Sequence, residues 1–108
     1  MSVSDADIAF TLELFAPLGG LSHRKMMGGL TIYHEGQVFS LISGDGTIFL
    51  KAKGAFAEDL AAEGARQFSS VNKDGKTHSM GYWTMPDAAL DDPDLACDWA
   101  RKALNELG

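Results

Sequence analysis

Residues 30–42 read LTIYHEGQVFSLI, and the way this stretch pairs with itself decides the fold. Glu35-Gly36 lies between two runs rich in β-branched and aromatic residues, the arrangement of a two-residue hairpin turn. Such a turn sets Tyr33 opposite Val38, Ile32 opposite Phe39 and Leu30 opposite Leu41. A second turn at Asp45-Gly46 extends the pattern, with Leu41 opposite Leu50 and Ser43 opposite Ile48. Side chains alternate between faces along a strand, so one face collects Leu30, Ile32, Phe39, Leu41, Ile48 and Leu50, all of them apolar. A three-stranded antiparallel meander with one buried face follows. The other face carries Thr31, Tyr33, Val38, Ser40, Ile42, Phe49 and Lys51. That mixture reads as a surface that meets something, either a loop or terminus of the same chain or a partner.

Upstream of the meander stands HRKMMGG, residues 23–29. Its methionines and histidines invite a metal reading and its glycines a phosphate reading. No pair of histidines has the helical i, i+4 spacing, and paired cysteines are absent from the sequence, so a metal site is not expected. The glycines neither form a phosphate-loop pattern nor open a helix, so they read as a bend or bulge. No cofactor is expected.

The flanking segments read as helices and one further hairpin. SDADIAFTLELFAPLG opens with Ser4 as N-cap and two aspartates in the first turn. Ile8, Leu12 and Phe15 recur at helical spacing, and Pro17 and Gly19-Gly20 end the helix. GAFAEDLAAEG, residues 54–64, is a short amphipathic helix closed by glycine. RQFSSVNKDGKTHSMGYWTMP suggests a hairpin around Asp74-Gly75. Its register stays open between a buried face of Val71, Met80 and Tyr82 and one of Phe68, Trp83 and Met85. In DDPDLACDWARKALNEL, Asp92 caps a helix with Pro93 at its first position, and Leu95, Trp99, Ala103 and Leu107 form an apolar stripe.

The order is therefore α-β-β-β-α-β-β-α within one domain spanning residues 1–108. The expected class is a two-layer α+β fold, a five-stranded antiparallel sheet covered by helices on one face.

Charge divides along the same lines. The chain carries a net charge of −6. Residues 21–53 nevertheless hold Arg24, Lys25, Lys51 and Lys53 against only Glu35 and Asp45. The strands are thus the basic part of an acidic protein. An overall acidic surface disfavours binding nucleic acid through its phosphates, although cations beside aromatics on a sheet can stack single-stranded bases. Cys97 is the single cysteine, so no intrachain disulfide can form. With no apolar run of membrane-spanning length and an acidic, unsignal-like N-terminus, a cytoplasmic location is expected and no membrane partner. Cys97 lies between Leu95 and Trp99 on a helix, the place of a partly buried, inert thiol. No nucleophile–base–acid set or paired catalytic carboxylates emerge, and the protein is not expected to be an enzyme.

Three stretches, RKMMGGLTIYHEGQVFSLI, TIFLKA and SMGYWTMPDAALDDPDLACDWARKAL, resemble the TfoX (Sxy) N-terminal domain family. The matching positions are Arg24, Met26, Gly28-Gly29, Tyr33, Gly36, Phe39, Leu50-Lys51, Phe68, Met80, Tyr82, Pro86, Leu95, Trp99 and Ala100 to Leu104. Met27 departs from the pattern, which often has an aromatic there. The resemblance runs from about Phe10 to Leu107. It implies a small α+β domain and a non-enzymatic role in competence and transcription regulation. The implied protein partner is a transcription regulator or RNA polymerase. Full-length members carry a second, C-terminal domain, so this sequence is expected to act as a stand-alone one. The candidate partner surface comprises Arg24, Lys25, Tyr33, Val38, Ile42, Phe49 and Lys51. A homodimer is left open, since sheet edges in a small domain need cover. The alternatives are direct nucleic-acid binding through the basic strands or an uncharacterised small-molecule site.

Overall fold

A computed structural model of the protein describes residues 3–26, 29–71 and 77–107. Along the chain stand α1 (Asp5–Phe15), β1 (Leu21–Met26), β2 (Gly29–His34), β3 (Gln37–Ile42), β4 (Ile48–Lys51), α2 (Gly54–Ala62), β5 (Gln67–Val71), β6 (Thr77–Thr84) and α3 (Pro93–Leu107). The expected α+β class is present: an antiparallel sheet with helices on one face. The five expected strands are joined by a sixth, β1. The sheet order is β1-β2-β3-β4-β6-β5, so the chain crosses through α2 to the far edge and returns by β6 between β4 and β5.

β1 pairs with β2 from Leu21 opposite His34 to Met26 opposite Gly29. Residues 27 and 28, between the two strands, lie outside the described residues. The bend expected at Gly28-Gly29 therefore falls in part on a segment that is not among the described residues.

The Glu35-Gly36 turn is formed as expected. Both residues have positive φ, 49° and 85°, as the tightest hairpin turns require, and Tyr33 stands opposite Val38. Beyond that pair the expected register fails. Ile32 pairs with Ser40 and Leu30 with Ile42, leaving Phe39 as an extra residue in β3. This β-bulge moves every later β3 side chain by one position. It also propagates into β4, where Leu41 stands opposite Phe49 and Ile42 opposite Ile48, closing a longer loop than the two-residue turn expected at Asp45-Gly46. Two assignments are corrected in consequence: Ile42 belongs to the helix-covered core, and Leu41 to the opposite face. Ser40 likewise turns inward, fully buried, where its hydroxyl donates to the Phe49 carbonyl at 2.7 Å.

The core joins Leu30, Ile32, Phe39, Ile42, Ile48 and Leu50 of the sheet to all three helices. Helix α1 contributes Ile8, Leu14 and Phe15, α2 contributes Phe56 and Leu60, and α3 contributes Ala96, Trp99, Ala100 and Ala103. The small residues of α3 let it lie close against the sheet. The helix starts are capped as expected. The Ser4 hydroxyl accepts from the Asp7 amide, and the Asp92 carboxylate accepts from the amides of Asp94 and Leu95. In the second hairpin, Trp83 and Met85 pack on the main core while Tyr82 faces away from it. Asp74 and Gly75, where its turn was expected, lie outside the described residues, as do the side chains of Phe68, Val71 and Met80.

Candidate partner surface

The face of the sheet turned from the helices has its own apolar cluster, Leu41, Phe49 and Tyr82. One residue comes from each of β3, β4 and β6, brought together by the register the bulge imposes. Their exposures of 8–9% show that they shield one another. Burial, and then the neighbouring Tyr33, push the Tyr82 phenol above its ordinary pKa, so it is held neutral. Around the cluster stand half-buried Tyr33, Val38 and Lys51. Thr31 is buried, and its Oγ1 lies 3.3 Å from both the Arg24 carbonyl and the Tyr33 hydroxyl, tying the cluster's margin to β1.

The expected surface residues thus divide three ways. Arg24 and Lys25 are exposed on β1. Tyr33, Val38, Phe49 and Lys51 share the helix-free face, with Phe49 as part of its packed floor. Ile42, fully buried in the main core, is no part of it. Leu41 and Tyr82 are the members that the sequence reading did not assign to this face. The first was hidden by the bulge and the second by an open register.

The rest of the molecule offers less chemistry. Cys97 is buried, its thiol donates to the Leu14 carbonyl at 3.6 Å, and burial raises its pKa. That is the setting of a structural thiol, not of a nucleophile. His34 contacts the Gly19 carbonyl through Nδ1 at 2.9 Å, which fixes the hairpin end against the turn before β1. Among the described residues, no three His, Cys, Asp or Glu side chains are placed to hold a metal ion. An open cleft of about 500 Å³ lies between the start of α1 and the Ser43–Thr47 loop, lined by Asp7, Asp45, Asp87 and Arg66 among others. No helix among the described residues is long and apolar enough to cross a membrane.

Comparison with protein families matches residues 13–107 to the TfoX N-terminal domain. The chain belongs to the TfoX N-terminal domain family. A comparison with curated proteins finds no match. Several positions that carry the resemblance to TfoX domains have structural work to do here. Gly36 supplies the second positive φ of the hairpin turn, Phe39 is the bulge residue, and Leu50 and Trp99 fill the core. Arg24, Tyr33 and Lys51 are different, because their side chains reach the surface. The TfoX-type pattern therefore holds a scaffold and, on its helix-free side, a small set of accessible polar and aromatic groups.

Proposed function

We propose that this TfoX N-terminal-type domain is a non-enzymatic regulatory or adaptor module of the cytoplasm, working by protein–protein contact in transcription regulation. The observation that carries the reading is the one-sided placement of the helices. All three pack on one face, and the other presents Tyr33, Val38 and Lys51 around a packed apolar floor, with Arg24 at its margin. An apolar centre with a polar and cationic rim is the anatomy of a protein interface. Base stacking gains no support from the same geometry, because Phe49 and Tyr82 are spent on mutual packing and offer little ring surface.

The test is affinity capture from lysate of the source cell, read by mass spectrometry. Wild-type protein is compared with a Tyr33→Ser, Lys51→Glu variant whose thermal unfolding is checked first. Recovery of a transcription regulator or RNA polymerase with wild type, and its loss with the folded variant, is the expected result. Identical recoveries from both would overturn the reading of this face.

A further inference from the structure

β1 is the end strand of the sheet, with β2 as its one neighbour. Which of its backbone groups remain available follows from a single bond. The Glu35 amide donates to the Gly20 carbonyl at 2.9 Å, and these two residues stand directly opposite one another in the β1–β2 register. In an antiparallel pair, hydrogen-bonded and non-bonded positions alternate. Ser22 and Arg24 therefore bond inward to β2. Leu21, His23 and Lys25 turn their N–H and C=O groups outward, away from the sheet.

The side chains along this edge are equally available. Ser22, His23, Arg24 and Lys25 are all exposed, and among the described residues neither Arg24 nor Lys25 has a carboxylate within ion-pair distance. Arg24 projects to the helix-free face and Lys25 to the other, since they are adjacent in a strand. An edge guarded by two adjacent cations repels another copy of itself: pairing β1 with β1 would gather four cations without a counter-charge. It attracts a strand that carries carboxylates at two successive positions, one for each face.

The geometry points to β1 as the docking strand for an acidic, extended peptide segment of a partner protein, added beside His23 and Lys25 as one more strand of the sheet. Main-chain bonds at His23 and Lys25 supply the pairing, and Arg24 and Lys25 select two consecutive acidic residues. This inference rests on the protein-contact reading above and names the chemistry of that partner.

The probe is a synthetic peptide, Val-Thr-Glu-Glu-Val-Thr, titrated into isotope-labelled full-length protein and followed by amide shifts and hydrogen exchange. Expected are saturable shifts along β1 and slowed exchange at the His23 and Lys25 amides, with Ser22 and Arg24, already bonded to β2, unchanged. Replacing both glutamates of the peptide by lysine should abolish binding. His23→Pro removes an outward N–H that β2 does not use and should weaken binding roughly tenfold. Should that variant not fold, the exchange pattern of the wild type still decides. The inference is overturned if shifts fall elsewhere or do not occur, or if the lysine peptide binds equally. A single-stranded oligonucleotide that occupies β1 in preference to the peptide also overturns it. If the acidic peptide fails while capture from lysate remains dependent on Tyr33 and Lys51, the edge inference falls and the adaptor reading stands. If the peptide binds at β1 and the capture shows no dependence on Tyr33 and Lys51, the edge stands as the contact site and the assignment of the contact to the helix-free face falls.

Discussion

Phe39 meets Phe15 edge-on, with ring centroids 5.1 Å apart and planes inclined at 76°. This contact explains what the β3 bulge accomplishes. Phe39 is the unpaired residue of the strand, and the bulge aims its ring into the core against the last residue of α1. Both rings are fully buried. Phe39→Ala is expected to destabilise the protein by about 3–5 kcal/mol, the range for removing a buried ring. Phe39→Leu should cost clearly less. Urea denaturation of the two variants measures the difference, and equal costs would show that the ring's shape is not what the bulge serves.

The hairpin turn carries a removable strain. Glu35 has φ of 49°, a conformation that costs an ordinary side chain about 1–2 kcal/mol. Its carboxylate is exposed and lies 3.8 Å from His34, too loose and too wet a pair to compensate. Glu35→Asn should therefore stabilise the protein by about 0.5–1 kcal/mol, because asparagine tolerates the left-handed region. A lowered melting temperature for this variant would contradict the strain assignment.

Asp45 organises the loop between β3 and β4. The Ser43 hydroxyl and the Thr47 amide donate to its carboxylate, and these bonds lower its pKa from 3.8 to about 2. A carboxylate depressed on folding adds stability that is fully present above its unfolded pKa and lost as pH falls through the folded one. The loop's contribution should hold above pH 3.8 and disappear toward pH 2. Carboxyl-carbon titration by NMR reads the value directly, and Asp45→Asn should erase this part of the acid sensitivity. The group is exposed, so the effect on global stability will be small.

Cys97 should resist thiol reagents in the native state. It is 1% exposed, and burial raises its pKa, so thiolate and access are both scarce. Labelling with a maleimide is expected to be slow in buffer and complete in urea. Rapid native labelling would mean that α3 parts from α1 far more often than the Cys97–Leu14 contact suggests.

These particulars also show where the sequence could be read and where it could not. Glu35-Gly36 and the Tyr33–Val38 pair were legible because turn chemistry and alternation agreed. Ser4, Asp92 and Pro93 were legible because helix ends have local chemical requirements. The placements of Leu41 and Ile42 were not, because both are large and apolar. Either fits the core by composition, and only the bulge at Phe39 selects between them. Nor was β1. Its residues, LSHRKM, show no apolar alternation, since four of them are exposed at a sheet edge and carry no burial pattern to read. Of the candidate surface, the cations and Tyr33 followed from sequence, whereas Tyr82 needed the register of β6 against β4.

The layering of charge gives the molecule a direction. On α1 and α3, Asp5, Asp7, Glu13, Asp94, Asp98 and Glu106 outnumber Arg101 and Lys102, whereas Arg24 and Lys51 lie on the helix-free face of the sheet. Such an arrangement amounts to a permanent moment across the thickness of the domain. An approaching acidic body exerts a torque on it before any atoms touch, turning the strands forward and the helices back. Added salt would shorten the reach of that torque, to about 10 Å at 0.1 M and less beyond. Toward an acidic partner of the kind proposed above, the domain would be oriented in solution, ahead of any complementarity of shape.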